Sequence, residues 1–299
     1  MGKVRIRSRY RGRIPQNIAE SAVTADVNTI DVTGVGGEDY PNEPVGMTQV
    51  YHHTCDALPG AGSTATEQEV VAGGSWTLTS ATGFDTISDP TAPVNGPTVL
   101  RMLWPSGLVD GNGPSARFDC IFGRSYKELY VSYHFKLPGA GSPSGWEMQG
   151  TTTKMLGYLS YGKTNRRNQF FMWFNPLTFA VDSEPGPWST KSDFTNEYGG
   201  PDISQNVNTA KLIALGWNQM ELYFKLNDDG VANGVHRVWV NGTLVIERTN
   251  VTMVGSAFGT TNGFYQLHFH PIWGGVNGQV KTRDDYLYLA DLYASGVEQ

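Results

Sequence analysis

The residues best suited to chemistry fall in three alternating runs. Gln266, His268 and His270 occupy every second position of one. Gln169, Phe171, Trp173 and Asn175 occupy a second, and Tyr130, Ser132, His134 and Lys136 a third. In an extended chain alternate side chains share a face, so each run presents aromatic and hydrogen-bonding groups together. Aromatic rings suit the apolar C–H faces of sugars, and amides, hydroxyls and imidazoles suit their hydroxyl edges. The expected glycan-contact set is therefore Tyr130, His134, Lys136, Gln169, Trp173, Gln266, His268 and His270. Histidine and tyrosine also move protons, while Lys or Arg neutralises a carboxylate. Arg166 and Arg167 open the second run. From these runs alone no catalytic residue is assigned. His268 and His270 have a spacing that two metal ligands can use, but no carboxylate or cysteine pattern accompanies them. No metal and no cofactor is expected. Asp228-Asp229-Gly230 is read as a turn.

Such runs need a sheet to hold them. Strands are expected at Val99–Trp104, Ala116–Phe122, Glu128–Leu137, Gln169–Asn175, Trp217–Leu226, Val235–Val240, Thr243–Glu247, Phe264–His270 and Tyr286–Ala294. Asn241-Gly242 between two of them is a strong signal for a two-residue hairpin turn. Long loops are expected at 138–152 and 176–210, and at most a short helix at Asn208–Leu215. Charged residues make up 17% of the chain, aromatics 12%, and glycines number 36. That balance favours a turn-rich β protein over a helical bundle. The fold expected is an all-β antiparallel jelly-roll sandwich beginning near residue 66. Its domain spans 51–299, preceded by an extended arm and linker over 1–50.

The arm carries Lys3, Arg5, Arg7, Arg9, Arg11 and Arg13 at strict alternation. An extended backbone would gather all six on one face. The chain has 22 Lys+Arg against 28 Asp+Glu, so the arm is about +6 and the remainder about −12. An acidic body argues against nucleic acid as a partner. No apolar run reaches the ~20 residues of a membrane span, and no apolar segment follows the basic residues as a secretory signal requires. The residues after the arm are rich in Gly, Pro, Asn, Asp and Thr, too polar to fold alone. They would order only by packing on their own body or on neighbouring subunits, so an oligomer is expected.

The last third contains Trp217-Asn-Gln-Met-Glu-Leu-Tyr-Phe-Lys-Leu-Asn227, Asn233-Gly-Val-His-Arg-Val-Trp-Val-Asn-Gly242, Pro271-Ile-Trp-Gly-Gly275 and Asp285-Tyr-Leu-Tyr-Leu-Ala-Asp-Leu-Tyr-Ala-Ser295. This resembles the concanavalin-A-like jelly roll of the polysaccharide-lyase type over roughly residues 125–296. Gln266-Leu267-His268 resembles the Gln-x-His strand of one alginate-lyase subgroup. Domains of this kind occur in secreted glycan-degrading enzymes and in bacteriophage virion proteins. Bipolar charge, the missing signal and the unfoldable arm favour the second setting. The expected function is a structural protein of capsid-decoration type at a virion surface. It would be anchored to neighbouring shell subunits through its arm and would present a lectin-like face to polysaccharide. The alternatives are a secreted polysaccharide lyase cleaving an acidic glycan by β-elimination, in which the acting residues would be His134, His268 and Arg167, and a carbohydrate-binding module.

Overall fold

The computed structural model describes residues 39–55, 75–78, 84–93, 97–109, 118–138, 147, 153–161, 166–175, 178–185, 205–208, 216–228, 231–251, 263–269, 272–273 and 278–299. Among them the regular structure is all β. The strands are β1 (Thr48–His53), β2 (Ser75–Leu78), β3 (Phe84–Ser88), β4 (Thr98–Trp104), β5 (Phe118–Lys136), β6 (Thr153–Tyr161), β7 (Arg166–Asn175), β8 (Thr178–Pro185), β9 (Gln205–Asn208), β10 (Trp217–Lys225), β11 (Gly234–Val240), β12 (Thr243–Val251), β13 (Phe264–Phe269), β14 (Ile272–Trp273) and β15 (Asp285–Glu298). All the ladders are antiparallel, in the order β12-β11-β10-β5-β13-β6-β7-β8-β9, with the remaining strands attached at the sides. This is the expected jelly-roll sandwich.

β5 belongs to both layers. Its first part, up to Tyr126, pairs with β2 and β13. Its second part runs between β10 and β15. The first layer holds β12, β11, β10, β5, β15, β1, β4 and β3, and the second continues from β5 through β13, β6, β7, β8 and β9. Leu129, Val131 and Phe135 of β5, Met220, Leu222 and Phe224 of β10, and Leu287 of β15 are fully buried. Each such large apolar side chain contributes roughly 1.5–3 kcal/mol by leaving water. Phe224 meets Phe264 of β13 with ring centroids 6.2 Å apart. That contact shows which faces of the two layers turn toward each other. The junction is tight: a Cβ at Gly263 would lie 2.5 Å from the Tyr126 carbonyl oxygen, so any larger residue there must displace backbone.

The hairpin forms at Asn241-Gly242. Val240 pairs with Thr243, and the two turn residues have φ of 49° and 73°. Positive φ at both positions is what the tight hairpin turn demands, and Asn and Gly tolerate it best.

Several expectations are corrected. The expected strands Ala116–Phe122 and Glu128–Leu137 are not separate: their described parts, 118–122 and 128–136, belong to the one strand β5; the polar residues between them resemble a turn, yet the backbone runs on from one layer to the other. The strands do not begin near residue 66: β1 starts at Thr48 and pairs with β15. β8 and β9 occupy the stretch 176–210 read as loop; they are short and carry Asp, Ser, Asn and Gln, which hide a strand pattern. The arm residues Lys3, Arg5, Arg7, Arg9, Arg11 and Arg13 lie outside the described residues, as does all but the first residue of the Asn208–Leu215 segment.

Candidate active site

Strand register sets the composition of the second layer's outer face. His268 of β13 lies opposite Asp119 of β5 on one side and Tyr158 of β6 on the other. Tyr158 lies opposite Gln169 of β7, and Gln169 opposite Glu184 of β8. Residues directly opposite in an antiparallel ladder share a face. Asp119, His268, Tyr158, Gln169 and Glu184 therefore form one transverse row, roughly 19 Å long at ~4.8 Å per strand. The next row holds Gln266, Ser160 and Arg167. On the other side follow Leu156, Phe171 and Asp182, then Lys154, Trp173 and Ala180. The alternate residues, among them Leu267, Leu159, Phe170, Met172 and Val181, are apolar and share the face on which Phe264 meets Phe224. A sheet with an apolar inner face and this outer face offers proton-transfer groups, amides, two cations and aromatic rings on one surface.

The expected residues divide between two surfaces. Gln169, Trp173, Gln266, His268 and Arg167 are on this face. His270 lies outside the described residues. Tyr130, His134 and Lys136 are on the outer face of the first layer, on the far side of the sandwich. Alternation identifies the two faces of one strand; it does not say which faces of distant strands coincide. That is why the three runs read as one set.

The first layer's outer face is a closed polar network under residues 39–53. Tyr130 is fully buried, and its hydroxyl donates to Glu221 Oε1 at 2.6 Å. Asn42 completes the Glu221 shell through its backbone N–H at 3.2 Å and its Nδ2 at 2.8 Å. Tyr40 donates to Asp291 at 2.9 Å, with His52 Nε2 2.6 Å from the same carboxylate, and its ring stacks on Tyr293 at 3.8 Å. Tyr293 in turn donates to Glu43 at 2.8 Å. Burial pushes the Tyr40 and Tyr130 hydroxyls far above the ordinary tyrosine range, and the neighbouring Asp291 and Glu221 push the same way. Burial also lowers His134, partly opposed by the charges of Asp291 and Asp39. Its Nδ1 has no hydrogen-bond partner among the described residues. Lys136 pairs with Asp89 at 2.7 Å and reaches Thr91 Oγ1 at 3.1 Å, over the rings of Trp217 and Tyr288.

Several residues of this face escape the sequence reading, Asp119, Tyr158 and Glu184 in the row and Lys154 beside it. Asp119 has a local signal, a lone acid in the apolar stretch Phe118–Phe122. Tyr158 and Lys154 have none, because β6 carries apolar residues on both faces and its alternation is blurred. No group of three or more His, Cys, Asp or Glu is arranged to hold a metal among the described residues.

Fold and register together define a concanavalin-A-like jelly-roll domain of the polysaccharide-lyase type. Residues 191–292 match the family model of polysaccharide lyase 14, a span that includes β13 with Gln266 and His268. No curated protein matches the chain. Among solved structures, the PL-14 alginate lyase of Aplysia kurodai superposes with a TM-score of 0.51 at 13% identity, covering 83% of this chain and 98% of that one. The alginate lyase vAL-1 from Chlorella virus gives 0.49 at 12%, covering 74% and 93%. At such identity the likeness is one of fold. The family match overturns the expected role as a virion-surface, capsid-decoration protein of bacteriophage type. Alternating basic residues specify an anionic counterpart but no particular one, so the arm was a weak ground for that role.

Proposed function

We propose that this protein is a polysaccharide lyase that cleaves an acidic glycan by β-elimination. The observation that carries the reading is the match of residues 191–292 to polysaccharide lyase 14. The matched span supplies His268, and register sets His268 opposite Tyr158 on an outer face. Elimination breaks the C5–H and C4–O bonds of a uronate, forms a C4–C5 double bond, and returns a proton to the leaving oxygen. The C5 proton is weakly acidic until the adjacent carboxylate is neutralised. Arg167, Gln169 and Gln266 are the cation and amides in and beside the row that would do this. His268 and Tyr158 are a base and an acid on adjacent strands, one to take the C5 proton and the other to protonate the leaving oxygen. The overall charge of −6 makes these local cations the more necessary for a polyanionic substrate.

The test is incubation with alginate, glucuronan and heparin-type polymers, following the ultraviolet absorbance of the unsaturated ends. Turnover is expected on at least one polymer. His268→Ala and Tyr158→Phe should each lower kcat by about 10²–10⁴-fold. Binding to these polymers without unsaturated product would identify a carbohydrate-binding module and refute the lyase reading.

A further inference from the structure

We propose that Glu147 is a positioning residue for the second-layer site, tying the chain that enters β6 to the chain that leaves β14. This deepens the lyase reading and rests on it only for the kinetic consequence. The clamp is reciprocal. The Glu147 carboxylate accepts from the backbone N–H of Thr282 at 2.9 Å, from that of Arg283 at 3.1 Å, and from the Thr282 hydroxyl at 2.8 Å. The Glu147 backbone N–H donates to Asp285 Oδ2 at 2.8 Å, and Lys281 Nζ lies 3.4 Å from Glu147 Oε2. Bonds to an ionised acceptor are stronger than neutral ones, and here they converge on one side chain that is itself only 22% exposed.

Its place in the chain gives this clamp a role beyond local stability. Glu147 precedes β6, whose first residues Thr153 and Lys154 pair with Trp273 and Ile272 of β14. β14 follows β13, and residues 281–284 lead from β14 into β15. The clamp and the β14–β6 ladder therefore close a ring of chain: from 147 to 153, across the ladder to 273, and on to 282. β14 is only two residues long. So short a ladder holds little by itself. A second junction that closes the ring lowers the entropy the ladder must overcome.

The ring sits at one end of the two strands on which the proposed acid and base are placed. β6 carries position 158, and β13 pairs with it at position 268. Register decides which residues of a strand face outward, and a slip of one residue turns the whole set to the other face. Holding the start of β6 against β14 therefore holds the arrangement on which the site depends. Removing the Glu147 carboxylate leaves Lys281 paired with Asp285. The start of β15 thus stays tied, and the loss falls on the β6 side.

The experiment is hydrogen–deuterium exchange, read peptide by peptide, on the wild type, Glu147→Gln, Thr282→Val and Thr282→Ser. Glu147→Gln removes the charged acceptor. Thr282→Val removes one donor and leaves both Lys281 contacts in place. Peptides from β6 and from β13–β14 should exchange about tenfold faster in Glu147→Gln and by a smaller factor in Thr282→Val, while those from β10 and β11 keep the wild-type rate. Thr282→Ser, which keeps the hydroxyl, should match the wild type. On a uronate polymer that is turned over, kcat of Glu147→Gln should fall about tenfold and KM should change by less than about twofold. If Glu147→Gln fails to fold, Thr282→Val carries the test. Exchange that is unchanged, or faster by one factor in every strand, overturns the proposal, as does local loosening with wild-type kcat. Local loosening in a protein that turns over no uronate polymer upholds the tie between β6 and β14 and sinks the lyase reading.

Discussion

Glu221 is a fully buried carboxylate held by Tyr130 and Asn42. A charge in that position is tolerated only while its donors are present. Tyr130→Phe removes one donor without changing shape and should cost about 1–3 kcal/mol in urea unfolding. The same residue would show little effect on turnover if the site is on the other layer. His134 makes a prediction in pH. Its folded pKa lies below the ordinary 6.5 because burial disfavours the cation. The unfolded chain therefore binds the proton first, and stability falls as pH drops below about 6.5. Thermal melts from pH 8 to pH 5 should show that decline, and His134→Gln should flatten it. Neither role is legible in the sequence. Tyr130 and His134 alternate on a strand as ligand-binding residues do, and only the segment 39–53 lying over them turns them into buried structural groups.

Turns were the most legible elements, because their chemistry is local. Asn241-Gly242 is read correctly since two adjacent residues must both adopt positive φ. Asn241 adds tertiary bonds that sequence does not show: its Oδ1 accepts from Gln219 N–H at 2.9 Å, and its Nδ2 donates to Asn218 at 2.9 Å. Gly242→Val forces a β-branched residue into the left-handed region and should cost about 1–2 kcal/mol by chemical denaturation. Long strands were less legible. β5 was read as two pieces because a strand that passes between layers changes its partners midway, and residues 123–127 lose the simple alternation of a half-buried face. β6 was missed because its open face carries Leu156 beside Tyr158 and Ser160.

Contacts between segments far apart in the chain hold the described residues together, and several of them are ionic. Lys281 has a fully buried side chain paired with Asp285, at the start of β15, and with Glu147 at 3.4 Å. Glu147 also accepts from the backbone N–H groups of Thr282 and Arg283 and from the Thr282 hydroxyl. Burial would raise the Glu147 carboxyl, but these hydrogen bonds and Lys281 more than offset it and hold it below the usual carboxylate range. Lys281→Met removes the buried partner of Asp285, leaving it Arg283 at 3.4 Å, and should cost at most about 3–5 kcal/mol in thermal or urea unfolding. The amino-acid sequence by itself determined the all-β class, the alternating faces of individual strands, the hairpin turn and the resemblance to lyase-type jelly rolls. All of these follow from neighbours within a few residues. Tertiary structure alone decided that His268 stands between Asp119 and Tyr158, and that Tyr130, His134 and Lys136 lie on the opposite surface. Residues 119, 158 and 268 come to adjacent register positions only through strand pairing, and register is set by the global packing of two apolar faces, not by any local pattern.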